Sequence, residues 1–213
     1  MRNLGLNSLA LCLLFILLTV HALAEDNLKQ ALVITIDGLR PDAINQDSAP
    51  TLKKLISAGS YSASAKTVDP PYTLPSHMSL VTGLKPENHG TYINTWIPQI
   101  GYTKHETIFT VANKHGINTS MFVGKDKLNF IAVPGSIDKL EVIEYSPDSV
   151  ETITESFIKD IDENIGIILV HFPEPDIPGH KKGWMSPTYL DAVKRVDTEI
   201  GKIIGTLKSK DLY

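Results

Sequence analysis

The chain has almost no cysteine: Cys12 is the only one among its 213 residues. That cysteine lies in an N-terminal segment that we expect to be removed, so the mature chain would contain none. A disulfide framework is thereby excluded, even for a compartment that would permit one. The stability of the mature chain must come from a buried apolar core, with bound metal as the other available source.

Other absences narrow the function classes. The sequence has no run of basic residues, and its formal net charge is −4, which argues against nucleic-acid binding. It has no glycine-rich phosphate loop, no internal repeat and no low-complexity tract. Beyond the N-terminus, no apolar stretch approaches the length that spans a membrane. The remaining 189 or so residues suffice for one domain with a sizeable core.

The N-terminus has the three parts of a secretory signal peptide. Arg2 provides a basic start, residues 9–20 are apolar except for Thr19, and Ala22 and Ala24 are the small residues that signal peptidase requires. We therefore expect a signal peptide at 1–24, a mature domain at 25–213, and a secreted, periplasmic protein. The alternative is an uncleaved anchor, but the apolar run is short for a span of about 20 residues. After cleavage we expect no stable membrane span.

The hydrophobic pattern alternates between strands and helices along the mature chain. The predicted strands are 31–36, 60–68, 118–123, 140–144 and 166–171. The predicted helices are 50–58, 75–82, 106–115, one opening at Ser146-Pro147 and one opening at Ser186-Pro187. This order favours an α/β fold with a mainly parallel sheet and helices on both faces. In such folds the site lies outside the carboxyl ends of the strands, where Asp37 and Asp176 are placed.

Asp37 and Thr73 are the first two candidates for chemistry. Asp37 follows a predicted strand, and a carboxylate there is a common ligand of divalent cations, although Asp-Gly is also a simple turn. Thr73 lies just ahead of a helix whose N-terminus would favour an alkoxide or a phosphate. A threonine hydroxyl needs a base or a metal to act as a nucleophile. The alternative for Thr73 is an ordinary loop threonine among prolines.

Asp176 and His180 form the second candidate group. Pro175 and Pro178 predict an irregular loop here rather than a regular helix. A carboxylate and an imidazole four residues apart can still close on one metal, and oxygen with nitrogen ligands suits zinc. The alternative is a polar loop with a surface histidine. His77 and His89 lie near the proposed site, and each is a candidate for supporting a metal ligand.

These residues lie in three motifs: D-G-x-R-P-D at 37–42, T-x-P-S-H at 73–77 with V-T-G-L-x-P-E-x-H-G at 81–90, and E-P-D-x-x-G-H at 174–180. Together the motifs resemble the type I phosphodiesterase/nucleotide pyrophosphatase branch of the alkaline phosphatase superfamily. The resemblance covers most of residues 31–205. It implies an alkaline-phosphatase-like core, of which this chain looks like the N-terminal part.

The resemblance also implies residue roles. Two zinc ions would lie side by side, with Asp37 and Thr73 on one and Asp176 and His180 on the other. Thr73 would attack phosphorus and form a phospho-threonine, and the Asn94 amide would bind a non-bridging phosphate oxygen. The substrate would be a small phosphate ester, such as a nucleotide or a phospholipid head group.

The sequence departs from the family pattern at two points, and these change the metal binding, activity and substrate that we expect. The family takes further ligands from an Asp-His pair in a later S/T-D-H-G motif and from a distal histidine, and neither follows His180 here. Each metal then has two ligands instead of three or four, so we expect a core incomplete at its C-terminus, weak zinc binding and little activity alone. Leu74 stands where nucleotide-cleaving relatives often have an aromatic residue, which weakens a nucleotide assignment.

Three alternatives stay open at this point. A phosphomonoesterase or a phosphonate hydrolase would use the same threonine and the same two metals. A degenerate, non-catalytic binding protein would keep the first half of the fold and explain the absent ligands. The sequence indicates no oligomeric state.

Overall fold

The structure is a computed structural model that describes residues 30–161 and 166–213. The predicted signal peptide at 1–24 lies outside the described residues. Four strands form one sheet in the order β1-β4-β2-β3. They are β1 (Ala31–Ile36), β2 (Thr119–Val123), β3 (Lys139–Val142) and β4 (Ile167–Phe172).

Every strand pair in this sheet is parallel, as the alternating pattern predicts. Ala31 of β1 pairs with Ile167 of β4, and β4 in turn pairs with β2 from Thr119 onward. β3 lies beside β2 with Lys139 opposite Ser120, and it is the edge strand expected near 140–144. Because all four strands run the same way, their carboxyl ends meet at one edge of the sheet, the carboxyl edge.

Seven α-helices and two 3₁₀ helices accompany the strands in the described part of the chain. The α-helices are α1 (Pro50–Ala58), α2 (Thr73–Thr82), α3 (Pro86–His89), α4 (Ile108–Lys114), α5 (Ser149–Asp160), α6 (Asp176–Lys182) and α7 (Pro187–Ser209), and the 3₁₀ helices are Pro41–Ala43 and Asp126–Ile131.

The helices cover both faces of the sheet, which confirms the expected fold class. On one face, Phe157 of α5 and Ile200 of α7 pack with Val170 of β4. On the other face, Met78 of α2 packs with Leu169, the next residue of β4. Neighbouring residues of a strand point to opposite faces, so a continuous apolar strand serves both layers.

The outer edge of β1 is open within the described residues. β1 pairs there with β4 alone, and all six of its residues are half-buried. An apolar groove of about 410 Å³ runs beside this strand and is lined in part by Leu32, Leu52 and Leu207. An apolar strand with a free edge favours association with another strand.

Several predicted elements differ from the structure, among them the helix expected to open at Ser146-Pro147, which begins at Ser149. Residues 60–68 form turns and irregular chain instead of a strand, and Tyr61 through Thr67 are exposed. Serine and alanine dominate that segment, so it has no large apolar face whose burial could order a strand. The helix expected to begin at Pro75 begins at Thr73, because the first-turn N–H groups of a helix lack helical acceptors and proline is tolerated there.

No helix among residues 30–161 and 166–213 is both long enough and apolar enough to cross a membrane.

Candidate active site

Asp37 and Thr73 meet at the carboxyl edge of the sheet. Asp37 directly follows β1, and its backbone N–H donates to the Phe172 carbonyl of β4 at 3.0 Å. Thr73 is the first residue of α2, and its hydroxyl donates to Asp37 Oδ2 at 2.8 Å. The two side chains lie 36 positions apart in sequence, and the fold brings them into direct contact.

Asp176 joins this pair at the start of α6. Its backbone N–H donates to the Asp37 carbonyl at 2.9 Å. His180, one turn later, places Nε2 3.3 Å from Asp176 Oδ1, while its side chain remains 70% exposed. The structure therefore brings Asp37, Thr73, Asp176 and His180 to one place on the carboxyl edge.

The expected loop at 176–180 is wrong, because these residues form the helix α6. Pro178 is the third residue of that helix. The first four N–H groups of a helix have no helical acceptor, so a proline there costs no hydrogen bond. Asp176 and His180 consequently share one helix face, as residues four apart do.

Gly38 explains why Asp37 is followed by glycine. Gly38 has a positive φ of 73°, and a Cβ added to it would lie 2.6 Å from Asp176 Cα. Its carbonyl accepts a hydrogen bond from the Tyr189 hydroxyl of α7 at 2.8 Å. The Asp37-Gly38 turn is thus pressed against the start of α6, and only glycine fits between them.

Asn94 contacts the backbone of Leu74, the residue that follows Thr73. Its Oδ1 accepts a hydrogen bond from Leu74 N at 3.1 Å, at the N-terminus of α2. Leu74 itself is fully buried. Its side chain therefore offers no surface on which a nucleotide base could stack.

Lys125 is the site residue that the sequence reasoning missed. Its Nζ lies 2.5 Å from Asp37 Oδ2, 2.7 Å from Asp176 Oδ2 and 3.4 Å from Thr73 Oγ1. The residue follows Gly124 just after β2, at the same carboxyl edge. The rule that located Asp37 and Asp176, namely inspecting residues that follow strand ends, would have found Lys125 too.

The charges of the site stabilise each other. Burial alone would raise the pKa of Asp37, but its polar neighbours outweigh burial and hold that pKa well below the usual range. We attribute the lowering chiefly to Lys125, since His171 Nε2 lies 3.6 Å away, beyond hydrogen-bond distance. Burial would likewise lower the pKa of Lys125, and the two carboxylates outweigh it and raise that pKa.

Two buried histidines, His77 and His171, lie against the residues of the site. His77 Nδ1 lies 2.7 Å from the Thr73 carbonyl and its Nε2 lies 3.0 Å from Thr35 Oγ1. His171 packs edge-to-face on His77 with ring centroids 5.0 Å apart. Burial, assisted by the neighbouring His171, lowers the pKa of His77 to about 4. His77 is therefore neutral at pH 7 and holds the first turn of α2 in place.

This pKa predicts a loss of stability in acid. The folded-state pKa of His77 lies below the unfolded value of about 6.5, so its contribution is present above pH 6.5 and is lost as the pH falls toward 4. Between pH 7 and 4.5 we expect the free energy of unfolding to fall by about 2 kcal/mol more in the wild type than in His77→Gln. Urea unfolding at both pH values measures the difference, and parallel pH curves for the two proteins would contradict it.

The side chains of the site are suitable metal ligands, but they are few. In the described part of the chain, no group of three or more histidine, cysteine, aspartate or glutamate side chains is arranged to hold a metal ion. Asp37, Asp176 and His180 with the Thr73 hydroxyl nevertheless offer oxygen and nitrogen donors, which zinc accepts. The two carboxylates already bind one positive charge, that of Lys125, so the site attracts cations.

The sequence matches a known family model and several curated relatives. The sequence model of the type I phosphodiesterase/nucleotide pyrophosphatase family matches residues 31–213. The human ectonucleotide pyrophosphatase/phosphodiesterase family member 1 is 27% identical over 85% of this chain and 22% of its own length. Family member 7 from Rattus norvegicus is 26% identical over 96% of this chain and 52% of its own length.

Solved structures share the fold. One is murine ectonucleotide pyrophosphatase/phosphodiesterase 5, solved as an inactive threonine-to-alanine variant in complex with AMP. Its TM-score is 0.71 and its sequence identity 22%, and the match covers 86% of this chain and 53% of that one. Phosphonoacetate hydrolase from Sinorhizobium meliloti, in complex with phosphonoformate, has a TM-score of 0.66 and 21% identity, with coverage of 83% and 53%. The chain thus spans about half the length of these solved relatives and from a fifth to a half of the curated relatives cited.

Proposed function

Because the chain belongs to the type I phosphodiesterase/nucleotide pyrophosphatase family of hydrolases, we propose that it is a metal-dependent phosphodiesterase with Thr73 as its nucleophile. The observation that carries the proposal is the position of Thr73 Oγ1. It lies at the N-terminus of α2, 2.8 Å from Asp37 Oδ2, beside carboxylates that already bind a cation.

The proposed metals are two zinc ions. Asp37 and Thr73 would hold one, and Asp176 and His180 would hold the other. Bound zinc would supply positive charge that stabilises the negative charge developing on the attacking and leaving oxygens. We propose that the further ligands each ion needs come from the part of the family fold that this chain does not span.

The reaction of the chain's own residues follows from their positions. The Thr73 hydroxyl gives up its proton, Oγ1 bonds to phosphorus, and the bond from phosphorus to one alcohol of the diester breaks, so that this alcohol leaves with a proton. Water then adds to phosphorus, the bond to Oγ1 breaks, and the products are the restored Thr73 hydroxyl and a phosphate monoester that keeps the second alcohol. The N-terminus of α2 favours the incoming anion, and Asn94, whose Oδ1 accepts from Leu74 N, would direct its amide N–H groups to a phosphate oxygen.

The proposed substrate is a small phosphate ester, either a nucleotide or a phospholipid head group. AMP binding by the murine relative supports a nucleotide. The burial of Leu74 removes the stacking position that nucleotide-cleaving relatives often use, so a base would have to be recognised elsewhere. The signal-peptide pattern at 1–24 supports action outside the cytoplasm, in a secreted, periplasmic protein.

A second candidate is a non-catalytic binding protein on the same fold. The observation in its favour is that each metal would have only two of the proposed ligands within residues 30–161 and 166–213. A phosphomonoesterase or phosphonate hydrolase would use the same residues, and only the preferred substrate separates it from a diesterase.

The test is a hydrolysis assay on the protein as its native host secretes it, after its intact mass has been measured. Bis-p-nitrophenyl phosphate serves as the diester and p-nitrophenyl phosphate as the monoester. We expect faster turnover of the diester, loss of turnover with a chelator and recovery with zinc. Faster turnover of the monoester would favour the monoesterase, and no turnover of either would favour the binding protein.

A further inference from the structure

Lys125 makes contacts that a metal ion would otherwise make. Its ammonium group contacts one carboxylate from each proposed metal position, Asp37 at 2.5 Å and Asp176 at 2.7 Å, and it approaches Thr73 Oγ1 at 3.4 Å. The side chain is only 13% exposed, and the two carboxylates are similarly enclosed. The three donors of the ammonium thus meet three acceptors of the site.

We propose that Lys125 is a built-in competitor for the metal, which holds the two carboxylates together in the metal-free protein and is displaced when a divalent cation binds. The proposal rests on the proposed metal site and adds a residue that lowers its affinity. It also assigns a task to Lys125 in the metal-free state.

Geometry makes the two cations mutually exclusive. Zinc binds carboxylate oxygen at about 2.0–2.2 Å. Asp37 Oδ2 contacts both Lys125 and the Thr73 hydroxyl, so a zinc ion held by Asp37 and Thr73 would lie next to the ammonium. Like charges at that separation in an enclosed site repel strongly, and the ammonium has to leave. Binding of a zinc ion therefore breaks both ion pairs of Lys125, and this cost lowers the net affinity of the site for zinc.

The fold offers the displaced side chain a place to go. A cleft of about 390 Å³ lies directly beside Lys125 and is lined by Glu144 and Tyr145 among others. Glu144 is exposed and can accept the ammonium there. The four-carbon stem of lysine is flexible enough to turn from the carboxylates to this cleft.

In the metal-free state the same contacts are stabilising. Asp37 and Asp176 are joined by a backbone hydrogen bond of 2.9 Å, so their side chains are held close together. Two enclosed carboxylates without a cation between them would repel each other. Lys125 prevents this, and the site stays organised before metal arrives.

Lys127 provides a matched control. It lies two residues further on in the 3₁₀ helix Asp126–Ile131, lines the same cleft and is half-buried. It forms no salt bridge to Asp37 or Asp176. Lys127→Met therefore removes the same charge from the same neighbourhood while leaving the ion pairs of Lys125 intact.

The experiment titrates zinc into the wild-type chain, Lys125→Met and Lys127→Met by calorimetry, and measures Tm of each in chelator. We expect the wild type to bind weakly, with a Kd above about 1 µM. Lys125→Met should bind at least about tenfold more tightly, equivalent to about 1.4 kcal/mol, and should have a lower Tm in chelator. Lys127→Met should gain much less zinc affinity than Lys125→Met, because Lys127 acts on the two carboxylates only at longer range, and its Tm in chelator should stay close to that of the wild type.

Each remaining outcome contradicts the proposal in a distinguishable way. Equal zinc affinity of the wild type and Lys125→Met would overturn the competition and leave the metal site standing. If Lys127→Met gained as much zinc affinity as Lys125→Met, the effect would come from the loss of any positive charge near the site, and this would also overturn the competition. Absence of zinc binding by every variant at millimolar zinc would overturn the metal site as well. Lys125→Gln, which keeps hydrogen-bond donors without the charge, replaces the methionine variant if that variant does not fold.

Discussion

Replacing Thr73 by alanine is expected to lower the turnover of bis-p-nitrophenyl phosphate by about 10³-fold or more, with little loss of stability. The change removes the proposed nucleophile, and no other hydroxyl lies so close to Asp37 Oδ2 among the described contacts. The fold should tolerate the change, because Asp37 keeps its ion pair with Lys125. The comparison uses the natural protein as its host produces it and the variant, both at saturating zinc, with Tm measured in parallel.

Two further variants sharpen this test. Thr73→Ser keeps the hydroxyl and should retain most of the turnover. Ser76→Ala lies in the same helix, and its hydroxyl contacts Thr67 Oγ1 at 2.9 Å instead of the site, so it should leave turnover unchanged. Full activity in Thr73→Ala would rule out Thr73 as the nucleophile, and equal losses in Thr73→Ala and Ser76→Ala would point to damage of α2 as a whole.

Replacing Gly38 by alanine is expected to destabilise the protein by about 3 kcal/mol. Two costs combine: a positive φ of 73°, which disfavours any side chain by about 1–2 kcal/mol, and overpacking against a backbone atom, which costs a similar amount. The new Cβ would meet Asp176 Cα at 2.6 Å. Because that atom belongs to the backbone, relief requires moving the start of α6, which would separate Asp37 from Asp176.

Gly83→Ala separates these two costs. Gly83 ends α2 with φ 70°, close to that of Gly38, but a Cβ there would meet no atom within 4 Å. It should destabilise by about 1 kcal/mol, the backbone cost alone. Urea unfolding measures the free energy of unfolding of both variants. Equal destabilisation would show that the close approach of Asp37-Gly38 to α6 adds nothing to the cost of the alanine.

The sequence predicts the sheet well because its strands carry a continuous apolar signal. Residues 31–36 are apolar apart from Thr35, and the structure places them in β1 without a shift. The predicted strand at 166–171 is β4 displaced by one residue. Strands buried on both faces are the ones that composition marks clearly. The carboxyl ends of these predicted strands also place Asp37 and Asp176 on a common edge, and the structure brings both there.

The sequence predicts the site less completely because local signals and tertiary contacts conflict there. Two prolines favoured a loop at 176–180, yet Pro178 falls in the first turn of α6, where it is tolerated. Lys125 carries no motif, and its importance comes from pairing with residues 88 and 51 positions away in sequence. The end of β2 marks Lys125 as a candidate in the sequence, but the residues with which it pairs are visible only once the order of the strands is known.

The pairing of β1 with β4 has a consequence for how the chain folds. Ala31 and its partner Ile167 lie 136 positions apart in sequence. Pairings between segments so distant in sequence form slowly, since a long stretch of chain must be closed first. A nascent chain that has only β1, β2 and β3 has no strand to join β1 to the others, because β4 lies between them. Asp37 therefore meets Asp176 only after β4 has joined the sheet, and until then the two carboxylates cannot bind a metal together.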